Sequence, residues 1–140
     1  MKKLALLLIC AYSCLFLAGC ADESEYDIDF TKLSATMVSA QLEKIMGSKV
    51  DYVGQIMKIS GAFDPYFVEG LNSTLMYIMI DCPSGCAKFM EFKSDNHSYP
   101  NDYPSQGTMI EIIGEFKVYI QPGYSDLFPY LHISELRIIG

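Results

Sequence analysis

The stretch DCPSGCAKFMEF, residues 81–92, sets two thiols, Cys82 and Cys86, four positions apart around a Pro-Ser-Gly turn that leads into an apolar segment. Three chemistries suit such a pair. A disulfide needs Cα atoms within about 5.5–6 Å, which a tight turn supplies. The loop it closes is short, so its stabilisation is modest, about 2 kcal/mol. Tetrahedral zinc needs two further ligands, for which Glu91, Asp95, His97 and His132 are the candidates. The C-x-x-x-C spacing offers two sulfurs to one ion less readily than C-x-x-C, whose tighter turn aims both inward. A thioredoxin-type redox pair also has two intervening residues, and a helix N-terminus after it to lower a thiol pKa. The compartment decides among these, because disulfides persist in oxidising surroundings and are rare in the cytosol.

Other reactive groupings are sparse. His97 lies in the polar stretch SDNHSYP, and His132 sits in an alternating segment on the side opposite Leu131 and Ile133. If the segments holding Glu91 and His132 pair, the two side chains approach on an outer face, as an acid–base pair or as a surface ion pair. The chain has no Ser/His/Asp constellation of usable spacing, no glycine-rich phosphate loop and no nucleophile flanked by paired carboxylates. No catalytic residue, resident metal or cofactor is therefore expected. Aromatic residues carry more information. Tyr66, Tyr99, Tyr103 and Tyr124 fall in turn-rich stretches, accompanied by Phe67 and Phe128. Rings there either fold back over the end of a barrel or form a ligand face.

The N-terminal segment MKKLALLLICAYSCLFLAGC speaks to the compartment. Two lysines precede an apolar run from Leu4 to Gly19 broken only by Ser13, which is the pattern of an export signal. The run falls short of the ~20 residues that cross a bilayer, and the acidic ADESEYDID after it has no basic stop-transfer flank. Leu17-Ala18-Gly19-Cys20 resembles the lipobox of bacterial lipoproteins. That resemblance implies cleavage between Gly19 and Cys20 and a diacylglycerol on the Cys20 thiol. It places the mature chain in the bacterial cell envelope, lipid-anchored on the extracytoplasmic side of a membrane. Cys10 and Cys14 leave with residues 1–19. In that compartment Cys82 and Cys86 are expected as a disulfide or as inert thiols pinning a loop, with metal-handling or thiol-redox use as the alternative.

The chain carries 10 Lys+Arg against 17 Asp+Glu, a formal net charge of −7, and losing Lys2 and Lys3 makes it more negative still. Binding a phosphate backbone takes clustered Lys and Arg that release counterions, so nucleic acid is not an expected partner. Residues 20–35 read as an acidic tether and residues 36–140 as one domain. Within TMVSAQLEKIM, residues 36–46, Met37, Val38, Leu42, Ile45 and Met46 fall on one side at helical spacing, with Ser34 or Thr36 to cap and Gly47 to stop.

From Tyr52 the period changes to two. GQIMKISGAF sets Met57, Ile59 and Phe63 on one face with Gly61 among them, and TLMYIMID reads as a run buried on both faces. KFMEFK is short, TMIEIIGEFKVYI aligns Ile110, Ile112 and Phe116 with Gly114, and YLHISELRII closes the chain. DPYFVEGLNS, SDNHSYPNDYPSQG and QPGYSDLFP read as loops. Two of the five strands hold a glycine where a strongly bent strand leaves no room for a side chain. The reading is a mainly β, five-stranded OB-like Greek-key barrel preceded by a short α-helix.

Three stretches, DYVGQIMKISGAF, IDCPSGCAKFMEF and YPNDYPSQGTMIEIIGEFKVY, resemble a group of small bacterial OB-fold lipoproteins. The likeness runs through Tyr52, Gly54, Gly61, Phe63, Asp81, Cys86, Glu91, Phe92, Tyr99, Pro100, Tyr103, Pro104, Gly107, Gly114 and Phe116, within residues 36–136. Two positions depart from it: Gln55 stands where that group has lysine, and Gly85 where it has the first thiol of an adjacent cysteine pair. The resemblance implies a fold and an address and no reaction. The expected role is a lipid-anchored, non-enzymatic binding or accessory module for a protein or cell-surface ligand. Tyr66, Tyr99, Tyr103 and Tyr124 are its ligand-face candidates.

Overall fold

Ser34 starts the helix: its Oγ accepts the Met37 N–H at 3.4 Å, and α1 then runs over Ala35–Gly47. Val38, Leu42 and Ile45 recur every three or four residues and are buried as one stripe. Met37, expected on that stripe, is 56% exposed, because it lies about 100° round the helix from Val38. The computed structural model describes residues 25–140, so the export signal of residues 1–19 and the acylation site Cys20 lie outside the described residues.

The described part of the expected tether is docked on the domain. β1, Ile28–Asp29, pairs in parallel with Met57 and Lys58. The Asp27 N–H donates to the Ile56 carbonyl at 2.9 Å, and the Asp27 carboxylate accepts the Ile56 N–H at 2.7 Å. Phe30, in a 3-10 turn over Phe30–Lys32, is buried in the core. The acidic composition of this stretch hides one fully buried apolar anchor, Phe30, with Ile28 and Leu33 packed against the core beside it.

Five long strands follow: β2 Ile56–Val68, β3 Ser73–Asp81, β4 Ala87–Lys93, β5 Met109–Ile120 and β6 Leu127–Ile138. They form a closed five-stranded barrel of OB-like type with β1 as an extra strand. Closure depends on β2 having two partners. Its Ile56–Ala62 half pairs with β5, and its Ala62–Val68 half pairs with β3, both antiparallel. On the far side β4 meets β6 in parallel through Glu91–Lys93 and Tyr130–His132. Met57, Ile59, Phe63, Ile78, Met90, Ile110, Ile112, Phe116 and Leu131 fill the interior in the alternation that the sequence shows.

Three strand expectations need correction. β2 continues through Asp-Pro-Tyr-Phe-Val, read from sequence as a loop. Past Phe63 this strand has a ladder partner on one side only, so Pro65 leaves no central donor missing. β6 likewise begins at Leu127, inside the expected loop QPGYSDLFP. β3 is fully buried on one face only: Met76, Ile78 and Ile80 point inward, while Leu75, Tyr77 and Met79 are half-buried on the outer face.

The interior glycines have a measurable reason. A Cβ on Gly61 would stand 2.3 Å from the Met79 carbonyl oxygen, and one on Gly114 would stand 2.7 Å from that of His132. Both obstacles are backbone, and Gly114 lies at the register shift between β5 and β6. Gly61→Ala and Gly114→Ala are each expected to destabilise the domain by about 2 kcal/mol. Gly47→Ala, whose new Cβ meets nothing within 4 Å, is expected to be neutral or stabilising by up to about 1 kcal/mol. Urea midpoints of the three variants check this, and a common midpoint would rule out so close an approach of the strands.

Candidate functional site

The turn joining β3 to β4 holds Cys82 and Cys86. The Cys82 N–H donates to the Cys86 carbonyl at 3.0 Å, the Gly85 N–H donates to the Cys82 carbonyl at 3.1 Å, and Gly85 takes φ +75°. Both cysteines are free thiols, Cys82 buried and Cys86 exposed. Ser84 Oγ lies 3.2 Å from Cys86 Sγ. The hydrogen bond with Ser84, a second with Cys82 and the charge of Lys88 draw the Cys86 thiol below its ordinary pKa. Among the described residues no three His, Cys, Asp or Glu side chains gather as a metal site. Of the ligands expected for zinc, His97 hydrogen-bonds Ser94 at 2.7 Å, and His132 Nε2 lies 2.9 Å from Asp95.

The loop between β4 and β5 separates two of the tyrosine candidates. Tyr103 stacks on Phe63 with ring centroids 5.4 Å apart and planes 7° from parallel, and it tilts against Phe92 at 6.2 Å. It covers the core there, and burial raises its phenol pKa. Tyr99 leans on Tyr103 at 6.3 Å and stays exposed beside a groove of about 370 Å³ that Thr74, Leu75 and Ser94 also border. Tyr66 and Tyr124 are 63% and 60% exposed. Tyr66 lies in the outer half of β2, which hairpins with β3, and Tyr124 lies in the turn of the β5–β6 hairpin.

Between those two hairpins, the outward-facing positions of four strands carry two aromatic clusters that meet across Glu91. Phe89, 48% exposed, meets Tyr77 edge-on at 6.4 Å. Tyr77 stands opposite Glu91, and Glu91 stands opposite Tyr130. Tyr130 packs edge-on to Tyr119 at 5.6 Å, Tyr119 meets Phe128 at 5.7 Å, and Phe128 meets Tyr124 at 5.5 Å. Tyr77, Tyr119 and Tyr130 lie on strands, outside the loop positions where ligand-face aromatics are expected from the sequence. Their signal was the outward phase of the same alternation that identifies the core.

Glu91 sits under this surface and is 5% exposed. The expected approach of Glu91 to His132 does not occur. The parallel register places Tyr130 across from Glu91 and Lys93 across from His132, two residues out of step. Glu91 Oε2 instead accepts the Tyr119 hydroxyl at 2.8 Å. Lys93 Nζ stands 3.4 Å from Glu91 Oε1, 3.6 Å from the Tyr119 ring centroid and 4.5 Å from that of Tyr130.

Burial, foremost, and the neighbouring carboxylate push the Tyr119 phenol well above the usual tyrosine range. In the unfolded chain that phenol ionises near pH 10. Stability is therefore expected to hold below about pH 10 and to fall as pH rises further, since the unfolded chain gives up its proton first. Urea unfolding between pH 7 and 11 checks this. Tyr119→Phe should show a shallower alkaline decline, and an unchanged decline would contradict the assignment.

Comparison of the chain with protein-family models and with curated proteins finds no match.

Proposed function

We propose that this chain is a lipid-anchored protein of the bacterial cell envelope, held on the extracytoplasmic side of a membrane through Cys20. Its barrel acts as a non-enzymatic binding or accessory module for a protein or cell-surface ligand. One observation carries the reading: the aromatic surface running from Phe89 and Tyr77 across Tyr130 and Tyr119 to Tyr124. Barrels of this type bind ligands on one sheet face framed by the loops after the first and fourth strands. Here those are the hairpins that carry Tyr66 and Tyr124. Rings with a wet edge and an apolar body suit a saccharide or a protein surface, and the net charge of −7 turns the face away from nucleic acid. The lipobox-like Leu17-Ala18-Gly19-Cys20 supports the address.

Two measurements test it. Mass spectrometry of the protein from the membrane fraction should find a diacylated Cys20 as the first residue, and a soluble chain retaining Met1 would refute the anchor. In binding to arrays of cell-envelope saccharides and peptides, the Tyr66→Ala/Tyr124→Ala variant should lose at least about tenfold in affinity while keeping its urea midpoint. Binding that survives the double substitution would exclude this face.

A second reading, thiol chemistry at Cys82 and Cys86, is favoured by the exposure of Cys86 and its lowered pKa. Titrating free thiols in protein from its native envelope, before and after a dithiol reductant, distinguishes the two. Two thiols resistant to exchange leave the pair a structural one.

A further inference from the structure

The geometry points to an alkylammonium-binding box on the outer face, formed by the Glu91 carboxylate and the rings of Tyr119 and Tyr130. In the free protein it is filled by the chain's own Lys93, and it takes a lysine side chain of a protein partner when Lys93 swings out. The inference rests on the reading of this surface as the ligand face and names the group that the face recognises.

The box is built and not incidental. Glu91 is a carboxylate 5% exposed, held by the Tyr119 hydroxyl through Oε2. Its Oε1 is buried and makes no hydrogen bond with any described residue, although Lys93 Nζ lies 3.4 Å away. A buried carboxylate kept only for stability would have both oxygens satisfied, since each unmet acceptor retains its desolvation cost. Glu91 Oε1 is thus met by the Lys93 charge alone, without a hydrogen bond, and can accept one from an incoming ammonium.

The second wall is aromatic. An ammonium placed within about 6 Å of a tyrosine ring is attracted by the negative charge over the ring face, and here two rings, at 3.6 and 4.5 Å, converge on one nitrogen. Lys93 itself shows which chemistry the box accepts: a primary ammonium on a flexible aliphatic stem. The Lys93 side chain is 42% exposed and enters from solvent at the last residue of β4, so its release breaks no core packing. What remains is a desolvated acid under two rings, on a surface that also exposes Tyr66 and Tyr124. An acidic domain attracts a basic partner at long range as well.

The test removes the internal occupant. Lys93→Ala protein is titrated with n-butylammonium, and with n-butanol as the uncharged isostere, while the ring resonances of Tyr119 and Tyr130 are followed by NMR. Lys93→Ala should bind n-butylammonium at least about tenfold more tightly than wild type and should not respond to n-butanol. Adding Glu91→Gln should abolish the response. Lys93→Gln serves in the same titration if the alanine variant does not fold. Equal response in wild type and variant, or an equal response to n-butanol, overturns the inference. Ethanolamine and lysine methyl ester separate a bare amine from a lysine preference, and an ethanolamine response equal to that of the lysine ester overturns the assignment to a protein lysine. The Tyr66→Ala/Tyr124→Ala variant keeps Glu91, Lys93, Tyr119 and Tyr130 themselves, so loss of the wider face and loss of the ammonium response are read separately.

Discussion

Everything in this domain depends on one strand serving two neighbours. β2 pairs with β5 along its first half and with β3 along its second, changing partner at Ala62. Such a crossover bends the strand and brings backbones together where an ordinary residue would need space. Gly61 lies beside the Met79 carbonyl, and Gly114 beside that of His132. Side chains at those two points would hold the sheet open, and an open sheet would expose the Met57–Ile59–Phe63 face to water. Each Å² of apolar surface kept dry by closure contributes about 25 cal/mol.

Closure also determines what lies outside. Once β4 meets β6 in parallel, the outward positions of β3, β4 and β6 align Tyr77, Glu91 and Tyr130 in a row, and Tyr119 of β5, opposite Phe128, reaches Tyr130 and Glu91 diagonally. The row is isolated from the core by the strands themselves, so its aromatic content contributes little to filling the barrel. A buried carboxylate under that row is costly unless it is paired, and the Tyr119 hydroxyl and the Lys93 ammonium are what hold it. The thiol turn stands apart: it sits at the β3–β4 junction with Ser84 and Lys88, and no second group of potential metal ligands among the described residues joins it.

Much of the architecture was legible in the sequence because the period of the apolar residues is strict. Alternation from Met57 to Phe63 and from Ile110 to Phe116 identifies strands, their inner faces and the two crowded glycines. Of the two expected caps Ser34 starts the helix, which runs one residue further than expected, through Gly47 to a C-cap at Ser48. What was not legible depends on partners distant in the chain. β1 is two residues long and docks through backbone pairing and Phe30, which no local pattern announces inside an acidic stretch. The outer half of β2 contains Pro65, an ordinary loop signal, tolerated there because one edge is free. Glu91 reads as a surface acid until the register brings Tyr119 and Tyr130 over it. Of the four tyrosines expected at a ligand face, Tyr66, Tyr99 and Tyr124 are exposed, while Tyr103 packs over Phe63 and Phe92.

Barrel closure builds an organised carboxylate-and-ring box on the outer surface, with the Lys93 ammonium inside it. The most direct measurement is the chemical shift of the Lys93 Hε protons, because protons held over an aromatic ring are moved upfield by its ring current. Lys93 Hε is expected clearly upfield of the other lysines, and expected to move toward their position in Tyr119→Leu protein, in which the Tyr130 ring remains. A Lys93 Hε resonance that coincides with those of solvent-exposed lysines in the wild-type protein would contradict it.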